Sequence, residues 1–221
     1  MCAAMNPGTT KYACALAFAA VVVLLAACNT RPPLPYLGPH DVFRDNNGAA
    51  DTVYYTIPKF AFTNQEGQEV THHDYAGHVY VADFFFSNCP SICPIMSSQM
   101  ARLQENLRSA GLLGQVKLLS HTVDPERDTL ETLADYADRI GADLDHWHFV
   151  TGAPELLYKQ AEHGYLMTAF PSDTAAGGFF HTDQFALIDR EGHLRGYYDG
   201  TSTASVDALF EDIQHLLKYA P

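Results

Sequence analysis

The stretch that decides the fold is residues 78–96, HVYVADFFFSNCPSICPIM. Residues 78–86 are mostly aromatic, β-branched or small and contain one charged side chain, which is typical of a strand buried on both faces of a sheet. Pro94 suits the first turn of a helix, and apolar residues recur beyond it at helical spacing. The stretch therefore predicts a central strand that leads directly into a helix, with Cys89 and Cys93 at the junction.

The rest of the chain alternates predicted strands and helices. Residues 60–63 and 68–71 predict an N-terminal β-hairpin around a turn at 64–67. Further strands are predicted at 116–123, 147–150, 185–188 and 193–198, and helices at 94–110, 130–140, 154–163 and 205–218. This order predicts an α/β fold with a central mixed β-sheet flanked by helices. A final hairpin and helix after βαβ units is the thioredoxin-like pattern, an analogy at the level of the fold.

The first 28 residues are predicted to be a targeting segment. Residues 12–27 are apolar apart from Tyr12, and this run is shorter than the roughly 20 residues of a membrane span. The sequence Leu25-Ala26-Ala27-Cys28 resembles a bacterial lipobox, so we expect cleavage before Cys28 and lipid on its sulfur. A short transmembrane anchor is the alternative. The predicted organisation is a signal peptide at 1–27, an extended, lipid-anchored, proline-rich linker at 28–51 and a folded domain at 52–221.

Composition excludes several classes of protein. The chain has 221 residues and a formal net charge of −13, which argues against nucleic acid or an anionic membrane surface as a partner. The length fits one domain with an extension. Five cysteines are too few for a disulfide scaffold. Removal of the leader and lipidation of Cys28 would leave Cys89 and Cys93 as the only thiols.

These two cysteines carry the chemistry, and the residues alone leave three interpretations open. The helix dipole and backbone N–H groups at a strand-to-helix junction stabilise a thiolate. A structural disulfide across so short a loop would add little stability. A redox pair is possible, although thioredoxin-like reductases use C-x-x-C rather than C-x-x-x-C. Two thiolates also favour a soft ion such as Cu(I), whereas zinc would need four ligands. A third ligand would be one of the eleven histidines.

Three motifs together resemble the SCO/SenC family: Cys89-Pro-x-x-Cys93-Pro, the segment VDPERDT at 123–129, and Phe180-His181-Thr182 ahead of the strand at 185–188. The resemblance implies a thioredoxin-like fold and a copper-binding protein of cytochrome c oxidase assembly. It implies that Cys89, Cys93 and His181 are the ligands of one copper, Cu(I) or Cu(II), per monomer. Without the resemblance, His181 would be interpreted as an ordinary histidine after a glycine-rich loop.

The expected function is therefore a membrane-anchored metallochaperone on the extracytoplasmic face of a bacterial cell envelope. It would deliver copper to the binuclear copper site of a respiratory oxidase and would have no catalytic residue. Expected partners are the copper-bearing oxidase subunit and other periplasmic copper carriers or thiol reductants, with no nucleic acid. The alternative is a thiol–disulfide oxidoreductase or redox sensor that uses a reversible Cys89–Cys93 disulfide.

Other candidate residues have simpler explanations. Asp124 could orient a ligand from outside the coordination sphere, but a turn at Asp124 and a helix cap at Asp128 would account for that segment. Met96 and Met100 have soft sulfur atoms, yet their helical spacing favours packing in the core.

Overall fold

The structure is a computed structural model that describes residues 32–45 and 47–219. The predicted signal peptide and Cys28 lie outside these residues. The strands are β1 (His40–Arg44), β2 (Ala50–Tyr54), β3 (Ala61–Asn64), β4 (Glu69–Thr71), β5 (Val79–Phe85), β6 (Val116–Thr122), β7 (Trp147–Thr151), β8 (Ala169–Pro171), β9 (Phe179–His181), β10 (Gln184–Ile188) and β11 (Leu194–Asp199). The helices are α1 (His72–Tyr75), α2 (Cys93–Ser109), α3 (Leu130–Ile140), α4 (Pro154–Lys159) and α5 (Thr203–Tyr219).

A seven-stranded mixed sheet forms the centre of the fold, in the order β11-β10-β5-β6-β7-β3-β4. Strands β5, β6 and β7 are parallel to one another, and each of the other neighbouring pairs is antiparallel. The predicted central mixed sheet and the predicted hairpin β3–β4 are both confirmed. Since parallel strands present their carboxyl ends at one edge, this edge is where functional side chains are expected.

Strand β5 is buried along its whole length, as its apolar sequence predicts. Alternate side chains point to opposite faces of the sheet. Phe84 stacks on His121, with ring centroids 4.8 Å apart, whereas Phe85 packs against Tyr136 and Phe149. Each fully buried phenylalanine contributes about 1.5–3 kcal/mol. The core therefore lies on both sides of the sheet, and His121 belongs to it as a structural residue.

Helix α2 begins at Cys93, and Pro94 occupies its first turn, where a missing N–H costs nothing. Met96 and Met100 are completely buried on the face that α2 turns to the core. Their predicted packing role is confirmed. The opposite edge of α2 reaches α5 through an ion pair between Arg102 and Asp207, 2.6 Å apart.

Helix α3 spans the residues that the sequence predicted, but its cap lies one residue later. Its N-cap is Thr129, whose side chain accepts a hydrogen bond from the N–H of Thr132, and not Asp128. Asp128 is instead completely buried and turned towards the end of β5. A capping residue at either position fits the sequence pattern, so only the tertiary contacts of Asp128 decide between them.

The segment at 28–51 differs from the expected extended linker where the structure describes it. Strands β1 and β2 form an antiparallel hairpin. The N–H of Leu37 donates to the carbonyl of Leu194 at 2.8 Å, and the guanidinium of Arg195 lies 4.0 Å from the centre of the Tyr36 ring. The compact unit begins at Leu34 rather than at 52. The described residues include no helix with the length and apolar character needed to cross a membrane.

Candidate metal centre

The two cysteines lie where β5 ends and α2 begins. After the last strand residue the chain turns, and the N–H of Cys89 donates to the carbonyl of Phe86 at 3.3 Å. Cys89 is therefore in the turn, and Cys93 is the first residue of α2. A placement of both cysteines on one helical face would need an earlier helix start than the structure has. The turn still directs both sulfur atoms to the same place.

The third member of the site comes from a separate two-stranded ribbon. Strands β8 and β9 pair with each other, with Ala169 opposite His181, and form a sheet of their own. We call residues 169–181 the histidine ribbon. His181 is the last residue of β9 and is only 6% exposed. It is therefore held in a buried position rather than on a surface loop.

The side chains of Cys89, Cys93 and His181 converge. Their ligand atoms lie within 4.8 Å of one another, and the Sγ of Cys93 is 3.1 Å from the Nε2 of His181. Within the described part of the chain, this is the one cluster of three His, Cys, Asp or Glu side chains with the spacing of a metal site. The structure thus brings together the three residues that the family resemblance implied as ligands.

The His181 ring is oriented for coordination through Nε2. Its Nδ1 lies 2.9 Å from the carbonyl oxygen of Thr182. Because a carbonyl oxygen only accepts, Nδ1 carries the hydrogen, and the lone pair of Nε2 faces Cys93. The ring of Phe86 stands perpendicular to the imidazole at a centroid distance of 5.9 Å and limits its rotation. Such partners fix the orientation of a histidine ligand.

The two thiols are electrostatically different. Burial alone would raise the pKa of Cys89, but its contacts with the His181 ring, the Cys93 side chain and the backbone of the turn lower that pKa to about 6. Burial raises the pKa of Cys93 far above its ordinary value, and the neighbouring Cys89 sulfur raises it further. The site therefore favours the thiolate at the half-buried Cys89, whereas the buried Cys93 gives up its proton less readily.

Asp83 is a buried carboxyl group beneath the site that the sequence analysis did not single out. It lies in the middle of β5 and is 2% exposed. Burial raises its pKa to about 6, although a hydrogen bond from the Ser120 hydroxyl opposes this shift. Ser120 in turn accepts a hydrogen bond from the indole of Trp147 at 2.9 Å. The sequence did carry a signal for Asp83, because it is the one charged residue in the otherwise apolar strand β5.

Asp124 does not belong to the cluster of possible ligands. Its carboxylate forms an ion pair with Arg127, three residues later. Arg127 also reaches the histidine ribbon, since it donates to the carbonyl of Gly177 at 3.0 Å. Any effect of Asp124 on the site therefore passes through Arg127.

Two sulfur donors and one imidazole nitrogen suit a soft metal ion, and copper in particular among biological metals. Three donors also leave room for a further ligand from another molecule. The fold and this cluster together define a class: a thioredoxin-like protein with two thiols and an imidazole arranged to hold a soft metal.

The chain belongs to the SCO1/SenC family, whose family model matches residues 49–218. Similar solved structures include a SCO1/SenC family lipoprotein from Bacillus anthracis strain Ames, which is 30% identical, spans 74% of this chain and 95% of its own, and superposes with a TM-score of 0.69. BsSco, a member of the Sco family of cytochrome c oxidase assembly proteins described with a disulfide switch, is 28% identical over 75% of this chain and 95% of its own, with a TM-score of 0.67. Yeast Sco1 with copper bound is 25% identical over 75% of this chain and 91% of its own, with a TM-score of 0.60. The expected family and thioredoxin-like fold are confirmed.

Proposed function

We propose that this protein is an extracytoplasmic copper carrier that delivers copper to the binuclear copper site of a respiratory cytochrome c oxidase. Copper is its cargo, one ion per chain, held by Cys89, Cys93 and His181. The observation that carries the proposal is the convergence of the three donor atoms within 4.8 Å. Copper bound to yeast Sco1 and the oxidase-assembly role of the Sco family support the choice of metal and acceptor.

The geometry of the trio suits transfer rather than permanent storage. Cys93 and His181 are buried, whereas Cys89 is half-buried beside a shallow cleft lined by Ser91 and Phe180. An acceptor thiolate can approach from the Cys89 side and share the ion before this protein releases it. Copper binding releases the proton of Cys93, because only the thiolate coordinates the ion, and transfer to the acceptor then exchanges metal–ligand bonds alone. The proposal therefore assigns no catalytic residue.

A second function is favoured by the lowered pKa and partial exposure of Cys89. Its thiolate can attack a disulfide of a partner protein and displace one partner thiolate. Cys93 then loses its proton, attacks the mixed disulfide and releases the second partner thiolate. The partner gains two electrons, Cys89 and Cys93 become a disulfide, and a thiol reductant must restore them. This reaction requires the two cysteines but neither copper nor His181.

Anaerobic copper titration of the purified full chain tests the carrier proposal. We expect one Cu(I) per reduced chain and none once Cys89 and Cys93 are oxidised to a disulfide, because only thiolates coordinate the ion. His181→Ala should keep the thiol pair but weaken Cu(II) binding by more than about 100-fold, since loss of a direct ligand should exceed the 10–100-fold typical of residues that orient ligands.

His163→Ala is the matched control, because the side chain of His163 is 65% exposed and lies outside the cluster. Its Cu(II) affinity and spectrum should equal those of the wild type. A His181→Ala protein with an unchanged Cu(II) spectrum and affinity would remove His181 from the site and favour the thiol–disulfide function.

The lipid anchor is a further part of the proposal and rests on the lipobox at residues 25–28. The similar Bacillus anthracis protein is described as a lipoprotein, which supports it. We expect Cys28→Ser to lose metabolic labelling by a fatty acid and to leave the membrane fraction, because acyl chains supply about 0.8 kcal/mol per buried CH₂. Cys14→Ser, also in the leader, should stay labelled. Fatty-acid label on the Cys28→Ser protein would contradict this assignment.

A further inference from the structure

Residues 123–129, VDPERDT, contact both the turn that carries Cys89 and the histidine ribbon that carries His181. The proposed function gives these residues no role. We call them the bridging segment. It follows β6 directly, at the same sheet edge as the cysteine turn. Asp124 and Asp128 in it are buried, at 3% and 0% exposure. A buried carboxylate is costly unless it is paired or hydrogen-bonded, so the partners of these two residues show which parts of the site the segment contacts.

The carboxylate of Asp128 holds the cysteine half of the site. It accepts a hydrogen bond from the backbone N–H of Ser87 at 3.2 Å and another from the Ser87 hydroxyl. It also accepts one from the Thr122 hydroxyl at 2.5 Å. Ser87 precedes Cys89 by two residues, so Asp128 fixes the start of the cysteine turn relative to β6.

Arg127 holds the histidine half. Its Nε pairs with the Asp124 carboxylate, its Nη2 donates to the carbonyl of Gly177 at 3.0 Å, and its guanidinium carbon lies 5.6 Å from the centre of the Phe179 ring. Asp124 is itself anchored, because its N–H donates to the hydroxyl of Thr122 at 2.9 Å. The guanidinium therefore connects a fixed point on the sheet to two residues of the histidine ribbon.

The histidine ribbon needs such support. Its two strands have three residues each and pair only with each other. A two-stranded ribbon of this size is marginally stable by itself in water. Gly177, at the tip of the ribbon, lies close to the cysteine turn. A Cβ built on Gly177 would come within 2.6 Å of the Phe86 ring and 3.3 Å of Pro90, so the ribbon leaves no room for a side chain there. Movement of the ribbon would carry His181 away from Cys93.

We propose that Arg127 is a positioning residue that locks the histidine ribbon against the bridging segment and so keeps the Nε2 of His181 on the two sulfur atoms. The proposal rests on the proposed function for its effect on copper, but not for its effect on the ribbon. An exposed ion pair normally contributes little to stability. Arg127 differs because one planar group makes an ion pair, a carbonyl hydrogen bond and a ring contact together, which lysine cannot reproduce.

Hydrogen exchange of the metal-free full chain is the first test. In Arg127→Ala, amides of residues 169–182 should exchange at least about tenfold faster, while those of β5 and β6 keep their wild-type rates. Arg127→Lys should behave like Arg127→Ala, because it keeps only the charge. Arg108→Ala is the matched control: Arg108 also pairs with an acid three residues earlier, Glu105, and its side chain is 45% exposed against 51% for Arg127.

Copper binding is the second test. Arg127→Ala should weaken Cu(II) binding about 10–100-fold, as is typical for residues that orient a ligand, and leave the Cu(I) stoichiometry at one. In a His181→Ala background, Arg127→Ala should have no further effect on Cu(II), because it acts through that histidine. Equal effects in both backgrounds would overturn the proposal.

A variant in the ribbon gives an independent test. Gly177→Ala should reproduce the fast exchange of residues 169–182, since the added methyl group meets Phe86. Gly178→Ala is its control: both glycines have positive φ, 83° and 93°, but a Cβ on Gly178 meets only Arg127, at 3.9 Å. Wild-type exchange in Arg127→Ala and Arg127→Lys would refute the lock even if copper binds. If the Arg127 variants exchange fast but the wild-type protein binds no copper, the lock stands and only the carrier function is refuted.

Discussion

Replacement of either cysteine by serine is expected to abolish copper binding. Each change leaves one thiolate and the imidazole of His181, too few soft donors to retain Cu(I). The loss of copper affinity should exceed the 10–100-fold loss that follows from changing a residue that only orients a ligand. We expect Cys89→Ser and Cys93→Ser to hold less than about a tenth of a copper ion per chain against a competing chelator, measured on the reduced full chain by metal analysis after gel filtration.

The folded state should survive both changes. Cys89 is half-buried in a turn, so its replacement should alter stability by no more than about 0.5 kcal/mol. Cys93 is 1% exposed, but a serine hydroxyl there can donate to the Nε2 of His181, now 3.1 Å from the sulfur. Ser91→Ala is the control, because its hydroxyl lies 3.7 Å from the Cys89 sulfur and offers no soft donor. Full copper stoichiometry in either cysteine variant would exclude that sulfur as a ligand.

The central elements were predictable because their signals are local. An apolar run followed by a proline indicates a buried strand and a helix start whatever surrounds it, and β5 and α2 follow that pattern. The β1–β2 hairpin was missed because nine of its ten strand residues are exposed, so no alternation of apolar and polar residues marks it. Its position depends on contacts such as that between Arg195 and Tyr36, which join distant parts of the chain.

The residues of the site also fall into those with a local sequence signal and those whose position depends on distant contacts. Cys89 and Cys93 are close in sequence, and their position at a strand-to-helix junction was sufficient to identify them. His181 is 88 residues from Cys93, and only the family resemblance connected the two before the structure did. The carbonyl of Thr182 and the ring of Phe86, which orient its imidazole, have no sequence signal at all. Likewise, residues 123–129 predicted a turn and a cap, whereas the partners of Asp124 and Asp128 depend on the tertiary fold.

Asp83→Asn is expected to stabilise the protein at neutral pH and to have little effect in acid. Burial raises the pKa of Asp83 from 3.8 to about 6. Between these values the folded state binds a proton that the unfolded state lacks, so the stability contributed by the protonated carboxyl is complete below pH 4 and is lost as pH rises through 6. A difference of about two pKa units corresponds to about 3 kcal/mol. Asparagine stays neutral, and its oxygen can still accept from Ser120, which now donates at 2.5 Å.

Chemical denaturation of the metal-free chain between pH 4 and pH 8 measures this effect. The free energy of unfolding of Asp83→Asn minus that of the wild type should rise from near zero at pH 4 to about 3 kcal/mol at pH 7 and then stay constant, because no further proton is exchanged at Asp83. Asp138→Asn, on the exposed side of α3, should give a difference that does not change with pH in this way. Stability curves of the Asp83→Asn protein and the wild type that run parallel from pH 4 to pH 8 would show that the Asp83 carboxyl is already ionised in the folded protein at low pH, and that Ser120 and Trp147 stabilise its charge more than burial opposes it.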